Sequence, residues 1–256
     1  MLVVPSGPTI GLVSVVALLG ALSSVVGLGW AGWVVGLACG GVLSAVVSRG
    51  LVQRGGLTLG PANRVTLARA VLVCGVAALV AYAARAGLHG TAPSSGVGLL
   101  VGLSSLVLLL DWVDGFVARR TGTVSGFGAR FDLEVDAFLI LVLSLHAAAE
   151  LGWWIVAIGL ARYVLLVAQR VSPWLRRGLP PSRWRKAVAV YQGLALTAGA
   201  AHVLPASVVI GVIVAGMGGL ALSFATEVWA LWQLRPSPPV AQLHSEIGVV
   251  AGCPPS

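Results

Sequence analysis

Eight apolar stretches, at residues 10–27, 30–47, 64–86, 97–119, 130–150, 153–171, 187–204 and 207–233, take up most of this chain. Each is near the ~20 residues that a helix needs to cross the hydrocarbon of a bilayer. Composition agrees. Of the 256 residues, 58% are hydrophobic and only 9% are charged, whereas a soluble domain carries about 25% charged residues. The expected fold is therefore all-α, a polytopic transmembrane helix bundle whose surface is buried in lipid.

The stretches are not alike. The first two carry no charge and are joined by a Gly-rich turn at Gly27 and Gly29. They read as an N-terminal transmembrane hairpin over residues 1–50. The first stretch has no basic n-region and leads straight into the second, so it reads as a retained helix rather than a signal peptide. The other six carry the polar features and form the expected core, residues 51–235. Residues 236–256 are rich in proline and polar side chains without apolar periodicity, which predicts a disordered tail. The net charge of +8 does not point to nucleic acid, because the basic residues sit mostly between apolar stretches, where they orient spans and meet anionic lipid heads. The three cysteines form no CxxC or zinc pattern, and Cys39 and Cys74 read as small packing residues.

Basic residues also predict sidedness. Arg49, Arg54 and Arg64 share one set of loops with Arg119, Arg120 and Arg130, with Arg170, Arg176, Arg177, Arg183, Arg185 and Lys186, and with Arg235; the opposite loops hold little beyond Arg85. Eight spans alternate correctly with that split. Both termini are then cytoplasmic, in a multi-pass plasma (inner) membrane protein.

All four aspartates fall between positions 111 and 136, within apolar sequence where ionisable groups are expensive and mark working sites. Asp111 and Asp114 stand at i, i+3; Asp132 and Asp136 stand at i, i+4; each pair shares one helical face. At about 1.5 Å per residue, Asp111 lies roughly 12 Å from Arg119 and Asp136 roughly 9 Å from Arg130. The four carboxylates should thus converge in the cytoplasmic half of the bilayer. Unpaired, each contact at about 4 Å would cost roughly 4 kcal/mol at an effective dielectric of about 20. Oxygen-only ligands suit Mg²⁺ or Mn²⁺. Two such ions would balance four aspartates, and two-metal sites serve displacement at phosphorus.

The full run reads D-x2-D-G-x2-A-R-x8-G-x3-D-x3-D from Asp111 through Asp114, Gly115, Ala118, Arg119, Gly128 and Asp132 to Asp136. At every fixed position it resembles the signature of the CDP-alcohol phosphotransferase (CDP-alcohol phosphatidyltransferase) family, over a region from about residue 60 to 235. The resemblance implies a homodimeric membrane transferase that moves a phosphatidyl group from CDP-diacylglycerol to a small alcohol acceptor and releases CMP. It implies that Asp111, Asp114, Asp132 and Asp136 hold two divalent ions and that Asp136 is also the general base. Gly115, Ala118, Arg119 and Gly128 would line the nucleotide pocket. Asn63 and Thr66, in a run similar to the family's preceding helix, would join them. Arg69 in that run would meet the acceptor, the pyrophosphate or the carboxylates.

For the acceptor, the spacing of Arg162, Arg170, Lys186 and Gln192, with Arg185, is similar to that of phosphatidylglycerophosphate synthases. It suggests a phosphorylated polyol such as glycerol 3-phosphate or inositol phosphate. An arginine inside a span needs an anionic partner, and for Arg162 a structural pair is the competing reading. Glu134 faces away from Asp132 and Asp136 and reads as a surface group or an arginine partner. The alternative function is a carboxylate-lined cation transporter. It would need a path to both faces, yet the outer halves of the spans show few polar residues.

Overall fold

The computed structural model describes residues 6–53, 61–87, 94–121, 126–171 and 183–233. All the regular structure among them is helical: α1 Ser6–Val26, α2 Trp30–Gln53, α3 Pro61–Gly87, α4 Ser94–Thr121, α5 Gly126–Leu151, α6 Val156–Val171, α7 Arg183–Ala200 and α8 Ala206–Gln233, with a 3-10 turn at Trp153–Ile155 before α6. The expected tail, residues 236–256, lies outside the described residues, as does most of the 172–186 loop. The protein is an integral multi-pass membrane protein. Among the described residues, six helices, all but α5 and α7, are long and apolar enough to cross a bilayer, α6 counted together with the 3-10 turn before it. The eight-span expectation included those two, and the physical reason they fall short is visible in their sequences. α5 carries Arg130, Asp132, Glu134 and Asp136, and α7 opens on Arg183, Arg185 and Lys186.

α3 is the axis of the bundle. It packs against α1, α2, α4 and α5, and 67% of its apolar stretch is buried, against 22–28% for the other candidate spans. Lipid tails are as apolar as leucine, so helices in a bilayer associate by close packing rather than by hydrophobic exclusion. The exposed apolar side chains of α1, α2 and α8 face that lipid.

α1 ends at Gly27, whose φ of +66° is open to glycine at little cost and whose N–H returns to the Ser23 carbonyl at 2.9 Å. The chain turns and α2 runs back along α1. Gly36 and Gly40 of α2 allow this: a Cβ at Gly36 would lie 2.6 Å from Leu19, and one at Gly40 3.1 Å from Val15. Ser44 adds a hydrogen bond to the Pro8 carbonyl at 3.3 Å. At the other side of the molecule Gly159 of α6 presses on α5, where a Cβ would lie 2.4 Å from Ser144 Oγ and 2.5 Å from the Leu141 backbone. α7 joins α4, α5 and α8, with Tyr191 donating to the Val212 carbonyl at 3.0 Å. Opposite the aspartate end, His202 pairs with Glu150 at 2.8 Å. His146, one turn before Glu150 on α5, is buried.

Candidate active site

Helical spacing accounts for the position of each acid. Asp132 and Asp136, one turn apart on α5, look toward α3, as the i, i+4 relation requires. Asp111 meets them from α4 and is buried. Carboxylate oxygens of these three residues lie within 4.8 Å of one another. The convergence expected from spacing is therefore present for three of the four aspartates. Asp114 stands on the same helix one turn beyond Asp111, and its side chain lies outside the described residues.

The centre of this cluster is Arg69 of α3, whose side chain is fully buried. Its guanidinium binds Asp132 through Nη1 and Asp136 through Nη2, and Nη2 lies 3.2 Å from Asp111 Oδ1. A planar fork of donors is suited to holding several carboxylates at once. One guanidinium thus serves three acids from two other helices. Of the three roles expected for Arg69, pairing with the carboxylates is the one seen here. A second cation approaches from α7: Lys186 Nζ stands 3.5 Å from the same Asp111 oxygen.

These residues fit a divalent ion. The donor set is all oxygen, as Mg²⁺ and Mn²⁺ prefer. The three ligand atoms are within bridging reach of one centre, and the guanidinium already stands in as a cation among them. Asp111 Oδ1 is buried and, among the described residues, accepts no hydrogen bond; its partners there are the charges of Arg69 and Lys186.

The expected nucleotide residues surround this centre in the chain. Asn63 and Thr66 are buried on α3, about two turns and one turn before Arg69 respectively. Gly115 follows Asp111 by one turn of α4, and Gly128 lies one turn before Asp132 on α5; both are half-buried. The side chains of Ala118 and Arg119 lie outside the described residues.

The basic residues expected at the acceptor divide. Lys186 reaches the carboxylates directly, which its sequence position alone did not reveal. Arg162 of α6 instead donates to Glu134 of α5 at 2.9 Å, the arginine partnership anticipated for Glu134. Its Nε is buried without a hydrogen bond among the described residues. Arg170 is exposed at the end of α6, and the side chain of Arg185 lies outside the described residues. Gln192 is buried and turned to α8, where it donates to the Gly216 carbonyl at 3.4 Å. From Lys186 an apolar groove of about 460 Å³ follows α7 along Ala187, Val190, Tyr191 and Leu194.

A profile of the CDP-alcohol phosphatidyltransferase family matches residues 59–229. No curated protein matches the chain, and no solved structure does. The match begins after α2 and ends within α8, so it contains the whole acidic cluster and excludes α1 and α2.

Proposed function

The chain belongs to the CDP-alcohol phosphatidyltransferase family, and on that premise we propose that it transfers a phosphatidyl group from CDP-diacylglycerol to a phosphorylated polyol, such as glycerol 3-phosphate or inositol phosphate, and releases CMP. The observation that carries this reading is the convergence of Asp111, Asp132 and Asp136 around Arg69 inside a membrane bundle. The apolar groove that starts at Lys186 supports a donor with acyl chains. The excess of basic residues on the same side as the acids supports a site open to the cytoplasm of a plasma (inner) membrane protein. A homodimer and the domain limits 1–50, 51–235 and 236–256 belong to the same proposal.

In this reading Asp111, Asp114, Asp132 and Asp136 hold two Mg²⁺ or Mn²⁺ ions. When bound, such ions supply positive charge to the pyrophosphate and to the attacking oxygen. Asn63, Thr66, Gly115, Ala118, Arg119 and Gly128 form the nucleotide pocket. The acceptor hydroxyl oxygen attacks the β-phosphorus of the donor, and its proton passes to the Asp136 carboxylate. The bond between that phosphorus and the bridging pyrophosphate oxygen breaks. CMP leaves with the oxygen, and the new phosphodiester stays in the membrane. Arg69 fixes the orientation of Asp132 and Asp136, so much of the rate comes from placement and prearranged charge. Lys186, with Arg162, Arg170 and Arg185 beyond it, offers positive charge to an acceptor phosphate.

The test is a panel of alcohols presented with labelled CDP-diacylglycerol to the purified protein in detergent or vesicles, reading CMP and lipid product. A phosphorylated polyol should release CMP and Asp136→Asn should abolish that release. Turnover retained in Asp136→Asn would remove it as the base, and turnover only with unphosphorylated alcohols would overturn the acceptor.

A further inference from the structure

The hairpin α1–α2 lies outside the family match, yet it is packed against the one helix that supplies Arg69. Its contacts with α3 run along a single face of that helix. At one end, a Cβ on Gly11 of α1 would lie 3.2 Å from Leu67. Further on, a Cβ on Gly75 of α3 would lie 2.7 Å from Leu18 and 3.4 Å from Leu22 of α1. Next, a Cβ on Gly32 of α2 would lie 3.0 Å from the Ala78 carbonyl of α3. At the far end the Arg85 guanidinium sits over the Trp30 ring, 4.8 Å from its centroid. These approaches limit how far α3 can slide or roll, most firmly at Gly32, which meets α3 backbone; at Gly11 and Gly75 the contacts are leucine methyls, which give by a few tenths of an ångström before the packing resists.

Leu67 and Arg69 are two residues apart. At about 100° per residue they point to opposite sides of α3. The hairpin therefore holds α3 from behind while Arg69 reaches forward into the acids. We infer that the N-terminal hairpin is a positioning element for the active site: through Gly11 against Leu67 it sets the placement of α3 that keeps Arg69 among Asp111, Asp132 and Asp136. This rests on the reading of that cluster as the catalytic centre. Without the hairpin, the Leu67 face of α3 would meet mobile lipid tails, and only the ion pairs of Arg69 and the packing of α4 and α5 would hold it at the carboxylates.

The contact is open to a suppressor experiment. Gly11→Val puts bulk where even a Cβ is tight; Leu67→Ala, added to it, opens space for that bulk. Gly11→Ala is the milder version should the valine fail to fold. Gly41→Ala is the control, since a Cβ there meets nothing within 4 Å. Two quantities are read: the KM for the CDP-linked donor against kcat, and the dissociation constant for Mn²⁺ measured by its spin resonance signal. Gly11→Val should change the Mn²⁺ constant and raise the donor KM by about tenfold, the equivalent of about 1.4 kcal/mol. The double variant should return both to wild type, and Gly41→Ala should alter neither. A Gly11→Val protein that melts earlier with both constants unchanged, or a double variant that restores neither, would overturn the inference and leave the hairpin a simple anchor. Absence of turnover in the wild type would instead sink the transferase reading, and the Mn²⁺ constants would still decide the role of the hairpin.

Discussion

Replacing Arg69 by methionine keeps a long side chain in place and removes its charge. Three carboxylate oxygens within 4.8 Å of one another then face each other without their shared cation. At that separation and an effective dielectric of about 20, each pair repels by roughly 3.5 kcal/mol. Relaxation and water entry would relieve part of this, so the net loss should resemble that of a buried ion pair missing one partner, about 3–5 kcal/mol. For a chain of this size that is a fall in Tm of roughly 6–20 °C. Divalent ions should reverse it, because a ligand that binds the folded state at 100 times its Kd adds about 2.7 kcal/mol. The nine tryptophans permit a fluorescence melt in detergent, in EDTA and in saturating Mg²⁺. Arg69→Met should melt far below wild type in EDTA, recover most of the gap in Mg²⁺, and bind Mn²⁺ more tightly than wild type, because no guanidinium competes for the oxygens. Equal melting of the two proteins in EDTA, or equal protection by Mg²⁺, would refute the idea that Arg69 neutralises this cluster.

Chelation should stop CMP release by the wild type, and Mg²⁺ or Mn²⁺ should restore it; full turnover in excess EDTA would exclude the proposed ion pair. Arg162→Ala should raise the KM for a phosphorylated acceptor several-fold at little change in donor KM. If Glu134→Gln lowers stability to the same extent and Arg162→Ala leaves both KM values alone, the 2.9 Å pair is structural only. Gly159→Ala should cost about 1–3 kcal/mol, because its Cβ would strike Ser144 and the Leu141 backbone. A thermal melt indistinguishable from wild type would mean that α5 and α6 separate more easily than their contact indicates.

The acidic cluster was readable because charge in apolar sequence is rare and its spacing is short-range. The intervals 111 to 114 and 132 to 136 place side chains on a face whatever the rest of the chain does. Glu134 could be assigned away from the cluster by the same argument, but that Arg162, assigned to the acceptor, is its partner came only with the packing of α6 on α5. What could not be read was which helix meets which. α1 and α2 carry no marked polar face, and beyond Arg69 α3 is apolar as far as Arg85, so no periodicity marks the face of α3 that receives the hairpin. The glycines that do mark it (Gly11, Gly32, Gly75) are a few among 34. Arg69 offered three partners from sequence alone, and only the packing of α3 between α4 and α5 selects among them. Lys186 was assigned to a loop-side acceptor site for the same reason: a helix boundary places it, but the fold turns it toward Asp111.

The buried cluster draws its cation from one helix and its anions from two that follow it in the chain. During synthesis α3 emerges first, and an arginine six residues inside a lone inserting span is disfavoured, by less than the ~2.5–3.5 kcal/mol that applies at a helix centre. The aspartates of α4 and α5 carry a comparable penalty when they arrive. Each helix is thus a poor insertion substrate by itself, and the three become compatible with hydrocarbon only as a neutralised group. A nascent chain cut before α5 should leave α3 less completely inserted than the full-length chain does, which glycosylation mapping of the flanking loops would register.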